Sequence, residues 1–179
     1  MADEVKIPAT TEEVLRISLE MEEEGFRTYT EGAKKVQNSL GKRMLERLAQ
    51  DEVAHMRRIR EAYEALEGKR SWDQVTMQNE GERPTFQNIF TRLKSEINKS
   101  IEELGKMAVD DEEIIETALN LENHGRFFYS EAAKKADDPK VKKFLEILAA
   151  EEESHYQALR NINNFMVDPA NWFATQGKF

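Results

Sequence analysis

Residues 48–56 read LAQDEVAHM, and residues 148–156 read LAAEEESHY. Each copy carries a glutamate and, three positions later, a histidine: Glu52 with His55, and Glu152 with His155. The second copy follows the first by 100 residues without a gap. Leucines flank both motifs at helical spacing, so the Glu and His fall where an amphipathic helix places its core side chains. Putting titratable groups on an apolar stripe twice, in register, demands a chemical reason.

The surrounding sequence predicts four long helices. The first opens at Thr10 with Glu13 in capping-box spacing, and its stripe runs Leu15, Leu19, Phe26, Ala33, Val36. Glu22 and Tyr29 complete that heptad rhythm. A turn is expected near Asn38–Gly41, then a second helix with Leu45, Leu48, Ile59, Ala62 and Leu66 on one face and a stop at Gly68. The third helix begins near Asp110 or Asp111, with acidic residues in its first turn. Asp138–Pro139 reads as N-cap and first residue of the fourth, which carries Leu145, Leu148, Leu159, Ile162 and Met166 and ends before Asp168–Pro169.

Hairpin 1 thus covers about 10–68 and hairpin 2 about 110–167, within a single domain spanning 1–179. Residues 69–109, about forty, are far more than a short turn needs, so they imply a crossover with a polar loop (QNEGERP) and an extra short helix from Thr85 onward. The residues from 168 to 179 form a short tail. Between positions 19 and 60, 16 of 42 residues equal their partners 100 positions on, which marks a duplicated hairpin and a bundle with approximate two-fold symmetry.

Composition narrows the chemistry. The charged fraction of 34% with four prolines and eight glycines favours helix. A net charge of −9 without a basic cluster argues against nucleic-acid binding. The absence of cysteine excludes disulfides, thiolate metal sites and thiol catalysis. The opening MADEVKIPATTEE is acidic and has no apolar core, unlike a signal peptide, and no apolar run suits a membrane span. A cytoplasmic protein is expected.

Six side chains occupy core-facing stripes: Glu22, Glu52, His55, Glu122, Glu152 and His155. Two-fold symmetry brings them to one level of the bundle. At an effective dielectric of about 20, a like-charge pair 4 Å apart costs roughly 4 kcal/mol, and burial adds to it. No lysine or arginine is expected on the four stripes at this level; Arg126 is the nearest exception. Two divalent cations would balance four carboxylates, with two neutral imidazoles completing the shells. Glu52 and Glu152 are expected to bridge, Glu22 and Glu122 to be terminal, and each histidine to hold one ion. Oxygen-rich coordination with one nitrogen per ion suits iron or manganese better than zinc. For one such motif alone, a buried Glu–His hydrogen bond or a stripe turned to water is the alternative; duplication with a symmetric third glutamate favours metal.

This pattern resembles the ferritin-like di-iron carboxylate proteins, and among them the rubrerythrin-like branch, over about residues 10–167. The resemblance implies an all-α, ferritin-like four-helix bundle with two iron ions, manganese being possible. It implies that Tyr29 and Tyr129, seven residues after Glu22 and Glu122, hydrogen-bond ligand carboxylates. It makes Asp51 and Glu151 candidates for orienting His55 and His155, with solvated surface acids as the alternative. His124 fits no ligand position and reads as surface. Two departures stand out. Where rubrerythrins usually carry a further glutamate this chain has Gly125, matched by Gly25, either to make space or through inheritance by duplication. With no cysteine in the sequence, no rubredoxin domain is expected.

The resemblance therefore implies an oxidoreductase that reduces hydrogen peroxide or dioxygen with electrons from a separate rubredoxin-like donor. Iron handling (ferroxidase, storage or delivery) and a non-catalytic bundle with a structural metal are the competing readings. A homodimer is expected, and the long crossover permits a domain-swapped one.

Overall fold

The computed structural model describes residues 6–77, 85, 88, 89, 91 and 108–176. Helix α1, Thr11–Lys35, starts where the Thr10 hydroxyl accepts from Glu13 N at 3.3 Å. Glu12 and Glu13 in its first turn and Lys34 and Lys35 in its last complement the helix dipole. Helix α2, Ser39–Leu66, is capped by the Asn38 side chain, which accepts from Leu40 N and Gly41 N at 2.9 Å each. The turn is therefore shorter than the sequence suggested, and Gly41 lies inside the first helical turn. There a Cβ would stand 3.3 Å from Val36 and 3.4 Å from Ile115, so the glycine admits a close helix approach. Gly68, at φ +73°, terminates α2 through the left-handed conformation that glycine adopts without steric cost.

A short 3₁₀ turn, Trp72–Gln74, folds the chain back against α2. The polar loop expected over 78–84, and all but a few residues of the helix expected from Thr85 onward, lie outside the described residues. Helix α3 spans Val109–Lys135, and α4 spans Pro139–Val167 with Asp138 as N-cap and Pro139 in the first turn. The tail forms a further helix, α5, Pro169–Gln176, which docks Trp172 edge-on against Phe165 with ring centroids 5.9 Å apart. Among the described residues there is no strand, and no helix is long and apolar enough to cross a membrane.

The four long helices form two hairpins, α1 on α2 and α3 on α4, with α1 beside α3 and α2 beside α4. Two apolar clusters fill the bundle. One contains Val36, Leu40, Met44, Leu48, Ile115, Leu159 and Phe165. The other contains Leu15, Ile59, Ala62, Phe128, Phe144, Leu145 and Leu148. Most of the expected stripe is buried, although Leu66 is 40% exposed at the end of α2. Between the clusters lies a polar layer.

Asp111 fastens the hairpins at one end. Only 1% exposed, it accepts from the backbone N–H groups of Gln37 (2.7 Å), Asn38 (3.0 Å) and Ala108 (3.1 Å). Replacing Asp111 with alanine should leave these donors without a partner and lower the unfolding free energy by about 1–3 kcal/mol. The same change at exposed Asp110 should cost about 0.5 kcal/mol or less. Urea titration of both variants checks the contrast.

Candidate metal centre

The polar layer is built from one position on α1 and α3 and an adjoining pair on α2 and α4. Glu22, Glu52, His55, Glu122, Glu152 and His155 are all buried, none more than 4% exposed. A 3.6-residue period carries Glu22 onto the face that buries Leu15 and Tyr29, and Glu52 and His55 onto the face of Leu48 and Ile59. Glu122, Glu152 and His155 repeat the arrangement on the second hairpin.

Two overlapping sets of donor atoms result. Glu22, Glu52, His55 and Glu152 form one, and Glu52, Glu122, Glu152 and His155 form the other. Within each, the donor atoms lie within 4.8 Å of one another, and Glu52 and Glu152 belong to both. His55 Nδ1 stands 2.9 Å from Glu22, 3.1 Å from Glu152 and 3.5 Å from Glu52. His155 Nδ1 stands 3.4 Å from Glu122. The two imidazoles stack, with centroids 5.5 Å apart.

The surrounding contacts cross between the hairpins. Tyr29 donates its hydroxyl to Glu122 at 2.7 Å, and Tyr129 donates to Glu22. The acids beside the bridging positions cross in the same way. Glu151 lies 3.4 Å from His55 Nε2, and Asp51 lies 3.5 Å from His155 Nε2. Both acids are buried rather than solvated. Each histidine therefore turns Nδ1 toward the carboxylates and Nε2 toward an acid, the orientation in which a carboxylate holds the ring and leaves the other nitrogen free to ligate.

One feature of the layer overturns the sequence reading. Arg126, the cation nearest the stripes by spacing, faces outward: it pairs with Glu153, bonds Asn123 and covers the Tyr156 ring at 4.6 Å. The buried cation is Arg58, fully enclosed, which pairs with Glu151 and donates to Met77 O at 2.9 Å. It stands three residues after His55 and so shares its face. In the sequence it sits among Arg57 and Arg60, both exposed, and resembles a solvated charge run. Its repeat partner is Ala158. Asp51 is held instead by Arg47 on its own helix, at 2.9 and 3.0 Å.

Burial and mutual repulsion set the protonation. Burial, reinforced by the charge of Glu22, pushes the Glu52 carboxyl well up, and burial with the charges of Glu122 and Glu22 does the same to Glu152. Burial also opposes ionisation of Glu22, but the facing His55 charge and hydrogen bonds from Glu52, His55 and Tyr129 outweigh it and bring it down to about 2. For His155, burial disfavours the charged ring, yet Glu122, Asp51 and Glu152 raise it to about 10. His55 is likewise raised, by Glu22, Glu151 and Glu152 against burial. Glu151 falls to about 2 because its contacts with His55 and Arg58 exceed its burial penalty.

The donor set fits a pair of divalent cations. Glu52 Oε2, Glu122 Oε2, Glu152 Oε1 and His155 Nδ1 are buried, face the layer and make no hydrogen bond. Their contacts with the imidazoles are ionic and lack hydrogen-bond geometry, and ligation would satisfy all four.

Gly25 and Gly125 also acquire a physical role. A Cβ on Gly25 would lie 3.2 Å from Glu52 Oε1, and one on Gly125 would lie 3.1 Å from Glu152 Oε2. The glycines thus let these two carboxylates stand against the backbone of α1 and α3. A cleft between those helices leads from the surface to Glu52 and Glu152, and exposed His124 lines its mouth.

A four-helix bundle that presents a glutamate from each of two helices and Glu-x-x-His from each of the other two has the architecture of the ferritin-like carboxylate proteins. A family model described as Rubrerythrin matches residues 13–112 and 113–173, and the chain belongs to the rubrerythrin family. Comparison with curated proteins and with solved structures gives no match.

Breaking the buried Arg58–Glu151 pair by Arg58→Met should cost about 3–5 kcal/mol, because Glu151 keeps its charge in a dry site. Arg47→Met should cost less, because a side chain 26% exposed leaves a place beside Asp51 that water can enter. Denaturant unfolding of both variants in the presence of a chelator measures the difference without a metal contribution.

Proposed function

We propose that the chain binds two iron ions between α1–α4 and reduces hydrogen peroxide or dioxygen with electrons from a separate donor protein. The observation that carries this reading is the sharing of Glu52 and Glu152 between two four-residue donor sets. Glu52 and Glu152 would bridge, Glu22 and Glu122 would each hold one ion, and His55 and His155 would each supply one nitrogen. Two ferrous ions would supply one electron each to cleave the O–O bond of peroxide, which with two protons leaves as two waters, and a rubredoxin-like donor would return the electrons.

The protein's own residues prepare the site for this. Tyr29 and Tyr129 fix the orientation of Glu122 and Glu22 from the opposite hairpin. Burial and neighbouring carboxylates raise both phenols well above their usual value, so they remain donors. Asp51 and Glu151 stand beside the outer nitrogens of the two imidazoles. Apolar clusters flank the layer on both sides, which leaves the cleft between α1 and α3 as its route to the surface.

Two outcomes test the reading. Protein produced in iron-replete cells should carry about two metal ions per chain, and Glu52→Ala/Glu152→Ala should carry none, since each of these residues serves both donor sets. Elemental analysis decides it. Wild-type metal content in the double variant would overturn the assignment, and uptake of tens of irons per chain as a ferric mineral would indicate storage instead.

The protonation state gives a second test. Glu52, Glu152, His55 and His155 all have folded-state values above their unfolded ones, His155 at about 10. Their contribution to the metal-free fold is complete below the unfolded values and is lost as pH rises through the folded ones. Metal must displace the same protons, so it binds more tightly as pH rises. The gap in Tm between metal-loaded and chelated protein should therefore widen from pH 6 to pH 9. A gap that stays constant or narrows would contradict this assignment of protons to the ligands.

A further inference from the structure

The cleft between α1 and α3 has a pattern that metal binding alone does not require. Repeat partners make up most of its walls: Met21 with Leu121, Gly25 with Gly125, and Glu52 with Glu152 at its inner end. The cleft therefore lies near the approximate two-fold axis of the bundle, and at its inner end it reaches the two carboxylates that belong to both donor sets; Glu22 and Tyr29 line it without their repeat partners. His55 and His155 take no part in its lining. A ligand could approach both candidate metal positions from the carboxylate side, with the imidazoles undisturbed.

The cleft is also narrow. Its volume is about 70 Å³, whereas a cavity that holds benzene is about 150 Å³. Gly25 and Gly125 contribute no side chain, and both keep helical rather than left-handed backbone, so the requirement they meet is space and not conformation. A methyl group at either position would crowd the carboxylate at the inner end and fill part of the little room there.

We propose that Gly25 and Gly125 with Met21 and Leu121 make this cleft selective for size toward the oxidant of the reaction inferred above, on which the proposal rests. It admits unbranched ligands of two or three heavy atoms that can touch both metal positions, such as hydrogen peroxide, and it excludes bulky alkyl hydroperoxides. The glycines keep the inner end open, and Met21 and Leu121 close the approach around it.

The test uses full-length protein loaded anaerobically with two Fe(II) per chain. Stopped-flow oxidation by hydrogen peroxide is compared with oxidation by cumene hydroperoxide, and azide binding to the oxidised protein is followed by its charge-transfer absorption. Wild type should react about 100-fold faster with hydrogen peroxide than with cumene hydroperoxide, given the discrimination a tight pocket attains. Gly125→Ala should keep two irons but bind azide about 10-fold more weakly. Met21→Ala/Leu121→Ala should narrow the ratio between the two peroxides by about 10-fold or more, and it decides the matter if Gly125→Ala does not hold iron. Equal rates with both peroxides in iron-loaded wild type, or an unchanged ratio in Met21→Ala/Leu121→Ala, would overturn the size-selective cleft alone. Wild type that takes up no iron would overturn the proposed function and this site with it.

Discussion

Four carboxylates and two imidazoles share one dry layer of this bundle, and mutual repulsion in that layer is the constraint to which everything else answers. Without metal the layer stays neutral enough by holding protons: Glu52 and Glu152 are pushed up while Glu22 is pulled down to about 2. That solution leaves several buried donor and acceptor atoms unpaired. A pair of divalent cations answers both the charge and the missing partners. The layer therefore combines a structural cost with a donor set that fits metal, and the apolar clusters on either side of it hold the helices together against that cost.

Crossing contacts make the two hairpins interdependent. Each tyrosine serves a glutamate of the other hairpin, and each histidine faces an acid of the other hairpin. Neither hairpin can assemble a donor set alone, because Glu52 and Glu152 are needed in both. The duplicated hairpins thus form a unit whose donor sets exist only when the two copies meet.

The symmetry is broken behind the histidines. Glu151 is held by buried Arg58, which also bonds the start of the crossover at Met77, whereas Asp51 is held by Arg47 at the surface. The environments of His55 and His155 therefore differ in charge and in solvation, although their nearest carboxylates match. Membership of the rubrerythrin family is compatible with this divergence, since a duplicated sequence is free to vary wherever its two copies contact different parts of the chain.

Much of the fold was legible in the sequence, and the reasons are local. Helical periodicity placed Glu22, Glu52 and His55 on core-facing stripes, the offset of 100 residues supplied the symmetry, and Thr10, Gly68 and Asp138–Pro139 marked helix ends through capping rules that act within one turn. Tertiary structure decided the rest, because it depends on which residues of separate helices meet. Tyr29 reaches Glu122 rather than the nearby Glu22, Gly41 joins a helix capped by Asn38 and packed close to Ile115, and Arg58 is buried among residues whose spacing alone suggested a solvated run. Periodicity states which face a side chain takes. It does not state what stands opposite, and for a buried charge the group opposite determines whether it is tolerated.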